Sequence, residues 1–207
     1  MALKTIDMLD ANLLQQALDS TKEDAATADY QPLQGLAALD ALTRVYNREF
    51  FESQLDAQWK IAQSGKTSLA FFLIDVDEFG KFNEAYDQQS ADYALLKIAK
   101  ALKLLFRRSS DFVCRYAGDQ FAVLATRVDE THTAKYADTI CDRVCKLKIN
   151  NSTSSLGYLT ISIGFVICQP QSEDTQQVLI DQAKQRLQRA KELGRNRSVG
   201  DDAKVVT

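Results

Sequence analysis

The chain has 207 residues, of which 45% are hydrophobic and 26% are charged, so its composition is that of an ordinary globular domain and not of a disordered protein. The formal net charge of −3 argues against a general nucleic-acid binder, because binding along a phosphate backbone needs a basic face. The longest apolar run, residues 68–74, has the length of a buried strand and is too short to span a membrane. Because the N-terminus has no continuous apolar signal segment, we expect a cytoplasmic protein without a membrane span.

The first residues form a separate region by composition. Apolar side chains at Ile6, Leu9, Leu13 and Ala17 recur at three- and four-residue steps, which predicts an amphipathic helix, and the residues after it are polar and acidic. We therefore divide the chain into an N-terminal helical arm (1–38), a main domain (39–200) and a C-terminal tail (201–207). A lone helix of this length is marginal in water, so its apolar stripe must pack on its own chain or on a second copy. The sequence leaves both open.

The main domain alternates between helical and strand patterns. Helices are predicted at residues 47–64, 91–106, 130–147 and 175–193, and strands at residues 68–76, 111–116, 121–125 and 159–168. The order βαββαβ, with extra helices at its start and end, predicts an α/β (α+β) fold of ferredoxin-like or palm type. We expect a central, mostly antiparallel sheet that is flanked by helices.

Two acids stand where the most apolar strand ends. Asp75 and Asp77 share one face of that strand, because side chains alternate along a strand. Carboxylates at a sheet edge are typical of functional sites in α/β proteins, and paired oxygen ligands suit Mg²⁺. The same acids could instead cap the turn and helix that follow. The two interpretations are equally open on these residues alone.

A second candidate is the turn between the two middle strands, residues 116–121. Gly118 allows the backbone to adopt positive φ or to approach a ligand closely, and Asp119 lies at the tip. By itself this is an ordinary turn, so its interest depends on what lies beside it.

Together with three other segments, these two stretches resemble the GGDEF domain family of diguanylate cyclases. The resemblance covers residues 40–199 and rests on ordered motifs at the family's spacing. The matching segments are DALT (40–43) with NR (47–48), DVDEFGKFN (75–83), RYAGDQF (115–121), TISIG (160–164) and AKELGRNR (190–197).

The resemblance implies a reaction. In the family, two subunits each hold one GTP and face one another, and each ribose hydroxyl attacks the α-phosphate of the other nucleotide to give cyclic di-GMP and pyrophosphate. Catalysis of this kind depends on positioning and on neutralising charge, with Mg²⁺ as the implied cofactor. The implied partners are GTP or cyclic di-GMP, together with a second copy of the chain or a regulatory protein.

The resemblance also implies site residues. Asp75 and Asp119 match the metal-binding carboxylates, with the Val76 carbonyl as a backbone ligand. The substrate-binding positions match Asn83 and Asp92 for guanine, Lys191 and Arg195 for phosphate, and Phe79 beside them. Lys191 and Arg195 are four apart near the end of the last predicted helix, so we expect both to point the same way. A basic helix C-terminus is the alternative explanation of that pair.

The departures from the family pattern lie around the nucleotide. Gln120 stands where working cyclases have Glu, and it keeps an acceptor oxygen but loses the charge that neutralises metal or accepts a proton. A loss of this kind costs about 10²–10⁴-fold in rate. Ala117 replaces the first signature glycine, and Gly80 replaces a lysine. Of the segment G-H-x-x-G-D, only the final acid, Asp92, is kept.

A regulatory motif of the family is intact. Arg108 and Asp111 match R-x-x-D, the inhibitory site for cyclic di-GMP, at the expected distance before the signature. Arg can stack on guanine and bond its Hoogsteen edge, while Asp accepts from the guanine donors. A plain Arg–Asp surface pair is the alternative, and such pairs contribute less than about 1 kcal/mol.

Three hypotheses follow from these residues. The first is a degenerate GGDEF domain that binds cyclic di-GMP or GTP with weak or no cyclase activity, and it is the one that Gln120 and Gly80 favour. The second is an active cyclase that tolerates Ala117 and Gln120. The third is an interaction scaffold that dimerises through its N-terminal helix without binding nucleotide.

Overall fold

The strands and helices of the main domain follow the predicted order closely. The computed structural model describes residues 38–126, 128 and 130–200, so the predicted arm up to residue 37 and the tail lie outside the described residues. Every helix and strand predicted for the main domain is present, with ends within three residues of the predicted ones. In chain order the elements are α1 (Arg48–Gly65), β1 (Leu69–Val76), α2 (Phe79–Ala85), α3 (Gln88–Leu105), β2 (Phe112–Ala117), β3 (Gln120–Thr126), α4 (Glu130–Cys145), β4 (Ile161–Cys168), α5 (Gln176–Glu192) and β5 (Ser198–Val199).

The strands form one sheet in the order β2-β3-β1-β4-β5. The pairs among the first four are antiparallel, and only β5 runs parallel to its neighbour β4. The predicted ferredoxin-like core with a mostly antiparallel sheet is therefore confirmed. The register places Asp75 opposite Gln120 on one side and opposite Ser162 on the other.

The central strand β1 is buried along its whole length because helices cover both faces of the sheet. Its even-numbered residues, such as Phe72 and Ile74, pack with α3 and α4 in one apolar cluster. Its odd-numbered residues, such as Phe71 and Leu73, pack with α1 and α5 in another. This explains why the strand reads as a continuous apolar run instead of an alternating one. No helix in the described part of the chain is long and apolar enough to cross a membrane.

Two small elements were not predicted, and one helix begins earlier than expected. Helix α2 has only seven residues and two buried aromatic side chains, which is too short a pattern to recognise. Strand β5 has two residues. Helix α3 begins at Gln88 because the side chain of Asp87 accepts a hydrogen bond from the Ser90 N–H at 2.7 Å and caps the first turn.

A glycine in β4 lets α5 lie directly on the sheet. A Cβ at Gly164 would lie 2.1 Å from the Ala183 carbonyl oxygen and 2.2 Å from the Leu187 nitrogen. Both atoms belong to the backbone of α5 and cannot rotate away. The glycine of the TISIG segment therefore serves the packing of helix on strand.

Asp77 fastens three parts of the domain together. Its buried carboxylate accepts hydrogen bonds from the hydroxyls of Thr160 at 2.7 Å and Ser162 at 2.6 Å, and from the Asn196 N–H at 3.0 Å. The end of β1, the start of β4 and the loop after α5 thus meet on one side chain. Asp77 does not cap the helix that follows, whose N-cap is Glu78, and its two oxygens serve to join these parts of the domain.

We expect Asp77→Ala to lower the free energy of unfolding by about 2–4 kcal/mol, because two buried hydroxyls and the half-buried Asn196 N–H lose their acceptor. Urea denaturation followed by circular dichroism measures the change. Asp181→Ala is the matched control, since this aspartate is half exposed on α5 and its removal should cost less than about 0.5 kcal/mol. Equal losses in the two variants would contradict the role of Asp77 as a fastening point.

Candidate functional site

The first predicted carboxylate, Asp75, is fully engaged by side chains of the same chain. It is buried at the end of β1, with 6% of its surface exposed. The Lys191 ammonium lies 2.7 Å from Oδ1, and the Gln120 amide donates to Oδ2 at 2.8 Å. The antiparallel register of β1 and β3 places Gln120 directly opposite Asp75, and this pairing brings the two side chains together. The negative charge of Asp75 is therefore balanced without an external cation.

The second predicted carboxylate, Asp119, lies in the turn between β2 and β3. Gly118 enters this turn with a φ of 53°, a conformation that favours glycine. Burial raises the pKa of Asp119, and the negative charge of Asp75 raises it further, while Lys191 and Arg115 act in the opposite direction. The signature turn thus brings a second acid close enough to Asp75 for the two charges to repel.

The donor set fits one Mg²⁺ that is bound together with phosphate. Asp75 and Asp119 provide two carboxylates beside Val76, the last residue of β1, and Mg²⁺ prefers one or two carboxylates completed by phosphate and water oxygens. The repulsion that raises the pKa of Asp119 is what a divalent cation would relieve. Among the residues that the structure describes, no third acidic, histidine or cysteine side chain completes a metal cluster. Gln120 provides a neutral amide where the family has a third anion.

The predicted guanine-binding residues line one polar cavity together with the signature turn. The cavity has a volume of about 300 Å³, and its wall includes Asn83, Asp92, Phe79 and Asp119. The Gln88 amide donates to Asp92 Oδ1 at 2.8 Å, so one oxygen of that carboxylate is already engaged. Gly80 also lines the cavity, and a Cβ placed there meets no atom within 4 Å. The backbone at Gly80 therefore leaves open space for the first atom of a side chain.

The two predicted phosphate-binding residues do not share a helix face. Helix α5 ends at Glu192, and Arg195 lies beyond it in left-handed backbone with a φ of 62°. The expectation that four-residue spacing aligns Lys191 with Arg195 was wrong, because the helix stops before the second residue. The charge of Arg195 nevertheless acts on Glu78, which follows β1: the hydrogen bond from Lys81 is the main cause that lowers the pKa of Glu78, and Arg195 lowers it further.

The DALT segment braces the signature turn, a contact that motif matching does not reveal. Asp40 Oδ1 accepts from the Thr43 N–H at 2.7 Å and lies 3.3 Å from a guanidinium nitrogen of Arg115. Burial opposes ionisation of Asp40, but the hydrogen bonds from Thr43 and the charge of Arg115 outweigh it and lower its pKa. The Arg115 Nε in turn donates to the Gly118 carbonyl at 2.8 Å. The turn that carries Asp119 is thus held by the start of the domain.

Arg108 and Asp111 lie beside a separate cavity of about 480 Å³ whose wall also includes Tyr136. The Arg108 N–H donates to Asp111 Oδ2 at 3.3 Å, whereas the two side chains form no salt bridge with one another. Asp111 Oδ1 is buried and accepts no hydrogen bond from any described residue. Burial raises the pKa of Asp111, and the backbone hydrogen bond and charge of Arg108 offset this in part. Arg108 and Asp111 therefore do not form a plain surface ion pair.

Comparison with known proteins identifies similar sequences over most of the chain. A profile of the family described as "Diguanylate cyclase, GGDEF domain" matches residues 37–197. Diguanylate cyclase DosC of Escherichia coli K12 is 33% identical over 159 residues, which are 77% of this chain and 34% of DosC. Response regulator PleD of Caulobacter vibrioides is 30% identical over 174 residues, which are 81% of this chain and 37% of PleD. The chain thus spans about a third of the length of these relatives.

A solved structure shows the same fold. The GGDEF domain of DgcB from Caulobacter crescentus, crystallised in complex with c-di-GMP, superposes with a TM-score of 0.72 at 26% sequence identity. The match covers 79% of this chain and 95% of that domain.

We expect Asp119→Asn to raise the melting temperature at pH 7 by roughly 1–3 °C, because it removes a partly buried charge that repels Asp75. The raised pKa of Asp119 means that its ionised form costs stability above that pKa, and that the cost disappears when both states are protonated at lower pH. The gain should therefore be present at pH 7 and vanish as the pH falls below the usual aspartate range. Calorimetric scans across pH test this, and a gain that persists at low pH would contradict it.

Proposed function

The chain belongs to the GGDEF domain family of diguanylate cyclases, and we propose that it is a degenerate member that binds cyclic di-GMP and/or GTP with weak or no cyclase activity. The observation that carries this proposal is the state of Asp75. Its two oxygens are held by Lys191 and by the Gln120 amide, so the charge of Asp75 is balanced without a metal. A nucleotide would meet an Asp75 carboxylate that already has its partners.

The chemical reason is the missing anion at position 120. Mg²⁺ in such a site would neutralise phosphate charge and lower the cost of forming the attacking alkoxide. Asp75 and Asp119 could hold one ion with help from phosphate oxygens, but an amide adds no charge for a second ion and accepts no proton from a hydroxyl. We therefore expect binding to survive better than turnover.

GTP binding is supported by the cavity beside the signature turn. Asn83 and Asp92 line it, and an amide with a carboxylate can satisfy the donors and acceptors of a guanine edge. Lys191 and Arg195 supply positive charge near the end of β1, where the phosphates would lie. Replacement of the family lysine by Gly80 removes one further cation from this region.

Cyclic di-GMP binding is supported by the cavity at Arg108 and Asp111. The exposed guanidinium of Arg108 forms no salt bridge with Asp111. One oxygen of Asp111 is buried and accepts no hydrogen bond from any described residue. A guanine supplies N–H donors that such an oxygen could accept, and its Hoogsteen edge suits Arg. The solved DgcB domain, which is similar in fold and sequence, was crystallised with this dinucleotide.

An active cyclase is the second candidate, and one observation favours it. Asp75, Asp119 and Lys191 meet at the end of β1, so most of the family's charged machinery is in place. In this case two copies of the chain would have to face one another, because the family reaction joins two nucleotides held by two domains.

The first test is a cyclase assay on the protein and on Gln120→Glu. We expect the protein with GTP and Mg²⁺ to give at least about 100-fold less cyclic di-GMP than Gln120→Glu, alone or combined with Ala117→Gly. Without Mg²⁺ the variant should melt at lower temperature than the parent, because a carboxylate replaces an amide that donates to Asp75 at 2.8 Å. GTP with Mg²⁺ should recover this loss.

Gln177→Glu is the matched control, because its amide also donates to an aspartate, Asp181, at 2.9 Å but on the exposed face of α5. It should change neither turnover nor the response to Mg²⁺. Rapid formation of cyclic di-GMP by the unaltered protein would contradict the degenerate-domain hypothesis and support the active cyclase. An inactive Gln120→Glu that still binds GTP would place the defect elsewhere, and Gly80→Lys then tests the missing cation.

The second test concerns the regulatory motif. We expect Arg108→Ala to weaken cyclic di-GMP binding by roughly 10- to 100-fold in a calorimetric titration, since a charge-assisted bond and a stacking surface are lost. Arg189→Ala, an exposed arginine on α5, is the control and should bind as the parent does. Equal affinity in both variants would move the binding site away from this motif.

A further inference from the structure

The outer face of α3 carries a stripe of cationic and apolar side chains. Tyr93, Lys97, Lys100, Leu104 and Arg107 follow one another at steps of three or four residues, which aligns them along one side of the helix and its end. The stripe spans 15 residues, and its helical part, which ends at Leu105, is roughly 18 Å long. Tyr93 and Leu104 are 54% and 53% exposed, so the stripe faces outward and takes no part in the core.

A recess lies on each side of this stripe. The first, of about 370 Å³, is bounded by Thr43, Arg44, Tyr93, Leu96, Lys97, Ala99, Lys100 and Lys103. The second, of about 550 Å³, lies between α3 and the end of α4 and is bounded by Lys97, Lys100, Ala101, Leu104, Leu105, Arg107, Arg143, Lys146 and Leu147. Lys97 and Lys100 belong to both, so the two recesses form one continuous surface, which we call the basic groove.

Within the described part of the chain, no carboxylate pairs with the cations of the basic groove. No acidic side chain bounds either recess, and none of its lysines and arginines forms a salt bridge with another residue in the described part of the chain. Elsewhere on the surface Lys60, Lys81 and Lys184 each have a carboxylate partner within 3.5 Å. The groove is therefore strongly positive on a chain whose formal net charge is −3.

We propose that the basic groove binds an acidic amphipathic helix of a partner protein. Carboxylates on such a helix would pair with the lysines and arginines at the rim, which complements the sign of the groove. Apolar side chains at helical spacing would enter the recesses beside Leu96, Leu104 and Leu147, as in other helix-in-groove complexes. The helical part of the stripe matches the length of about three turns of a partner helix.

The shape of the groove favours a helix over a flat or purely ionic partner. Membrane association requires apolar side chains that project beyond the charged ones, whereas Ala101 and Leu105 lie within a recess between two helices. A phosphate backbone would satisfy the cations but would leave the exposed leucines against water. The groove includes neither Asp75 and Asp119 nor Asp111, but Leu105 and Arg107 bound both the groove and the cavity at Arg108. Lys97 and Lys100 bound only the groove, so substitutions there test this inference separately from the proposed function.

The test uses a fluorescent synthetic helix of about 18 residues with Leu at i, i+3, i+4 and i+7 and Glu on both flanks. We expect micromolar binding by anisotropy, weakened at least about tenfold by Lys97→Glu/Lys100→Glu and weakened as NaCl rises from roughly 50 to 300 mM. The same peptide with Ser in place of Leu should also bind at least about tenfold more weakly, because the recesses select apolar groups.

Lys66→Glu/Lys184→Glu is the matched control, since it changes the net charge equally at exposed sites away from the groove and should bind within about twofold of the parent. Vesicles with about 30% phosphatidylserine and a duplex DNA of about 20 base pairs serve as competing probes. The proposal is overturned by no peptide binding below about 200 μM, by equal effects of the two double variants, or by equal binding of the Ser peptide. It is also overturned if vesicles or DNA bind the groove more tightly than the peptide does.

Discussion

A carboxylate at the end of a strand buried on both faces has to be neutralised where it stands, and the arrangement around Asp75 follows from that requirement. The sheet register leaves little freedom, because Gln120 is fixed opposite Asp75 on one side and Ser162 on the other. Lys191 then reaches in from α5 and supplies the balancing charge. A second anion at position 120 would upset this balance, whereas an amide completes it.

The two acids that follow the apolar run, Asp75 and Asp77, have different roles. Asp75 faces the site, and Asp77 binds Thr160, Ser162 and the Asn196 N–H and so holds β4 and the loop after α5. Gly164 and Arg115 likewise serve packing and bracing. Segments of the family pattern can thus persist in this chain for reasons of folding alone. The changed positions, Gly80 and Gln120, are not among these contacts that hold the fold.

Much of the fold followed from simple patterns in the sequence. The apolar run of β1 and the helical spacing in α3 and α5 are long, strong signals, and the elements they predict are present with nearly the predicted ends. Helix α2 and strand β5 were missed because a few residues that depend on tertiary contacts carry no period of their own.

The site was predictable as a set of residues but not as a set of contacts. Motif positions indicated Asp75, Asp119 and Lys191, yet the spacing gave no sign that Lys191 and Gln120 would occupy both oxygens of Asp75. The alignment expected for Arg195 failed because α5 ends at Glu192, three residues before it. Partners such as Asp40 for Arg115 are distant in sequence, and only the folded chain brings them together.

The ion pair between Asp40 and Arg115 couples the start of the domain to the signature turn. The entry segment is also joined to β2 through backbone hydrogen bonds, from the Tyr46 N–H to the Val113 carbonyl and from the Arg115 N–H to the Tyr46 carbonyl. A pull or twist applied just before Asp40 is therefore transmitted to the hairpin that carries Asp119 by an ion pair and two backbone hydrogen bonds.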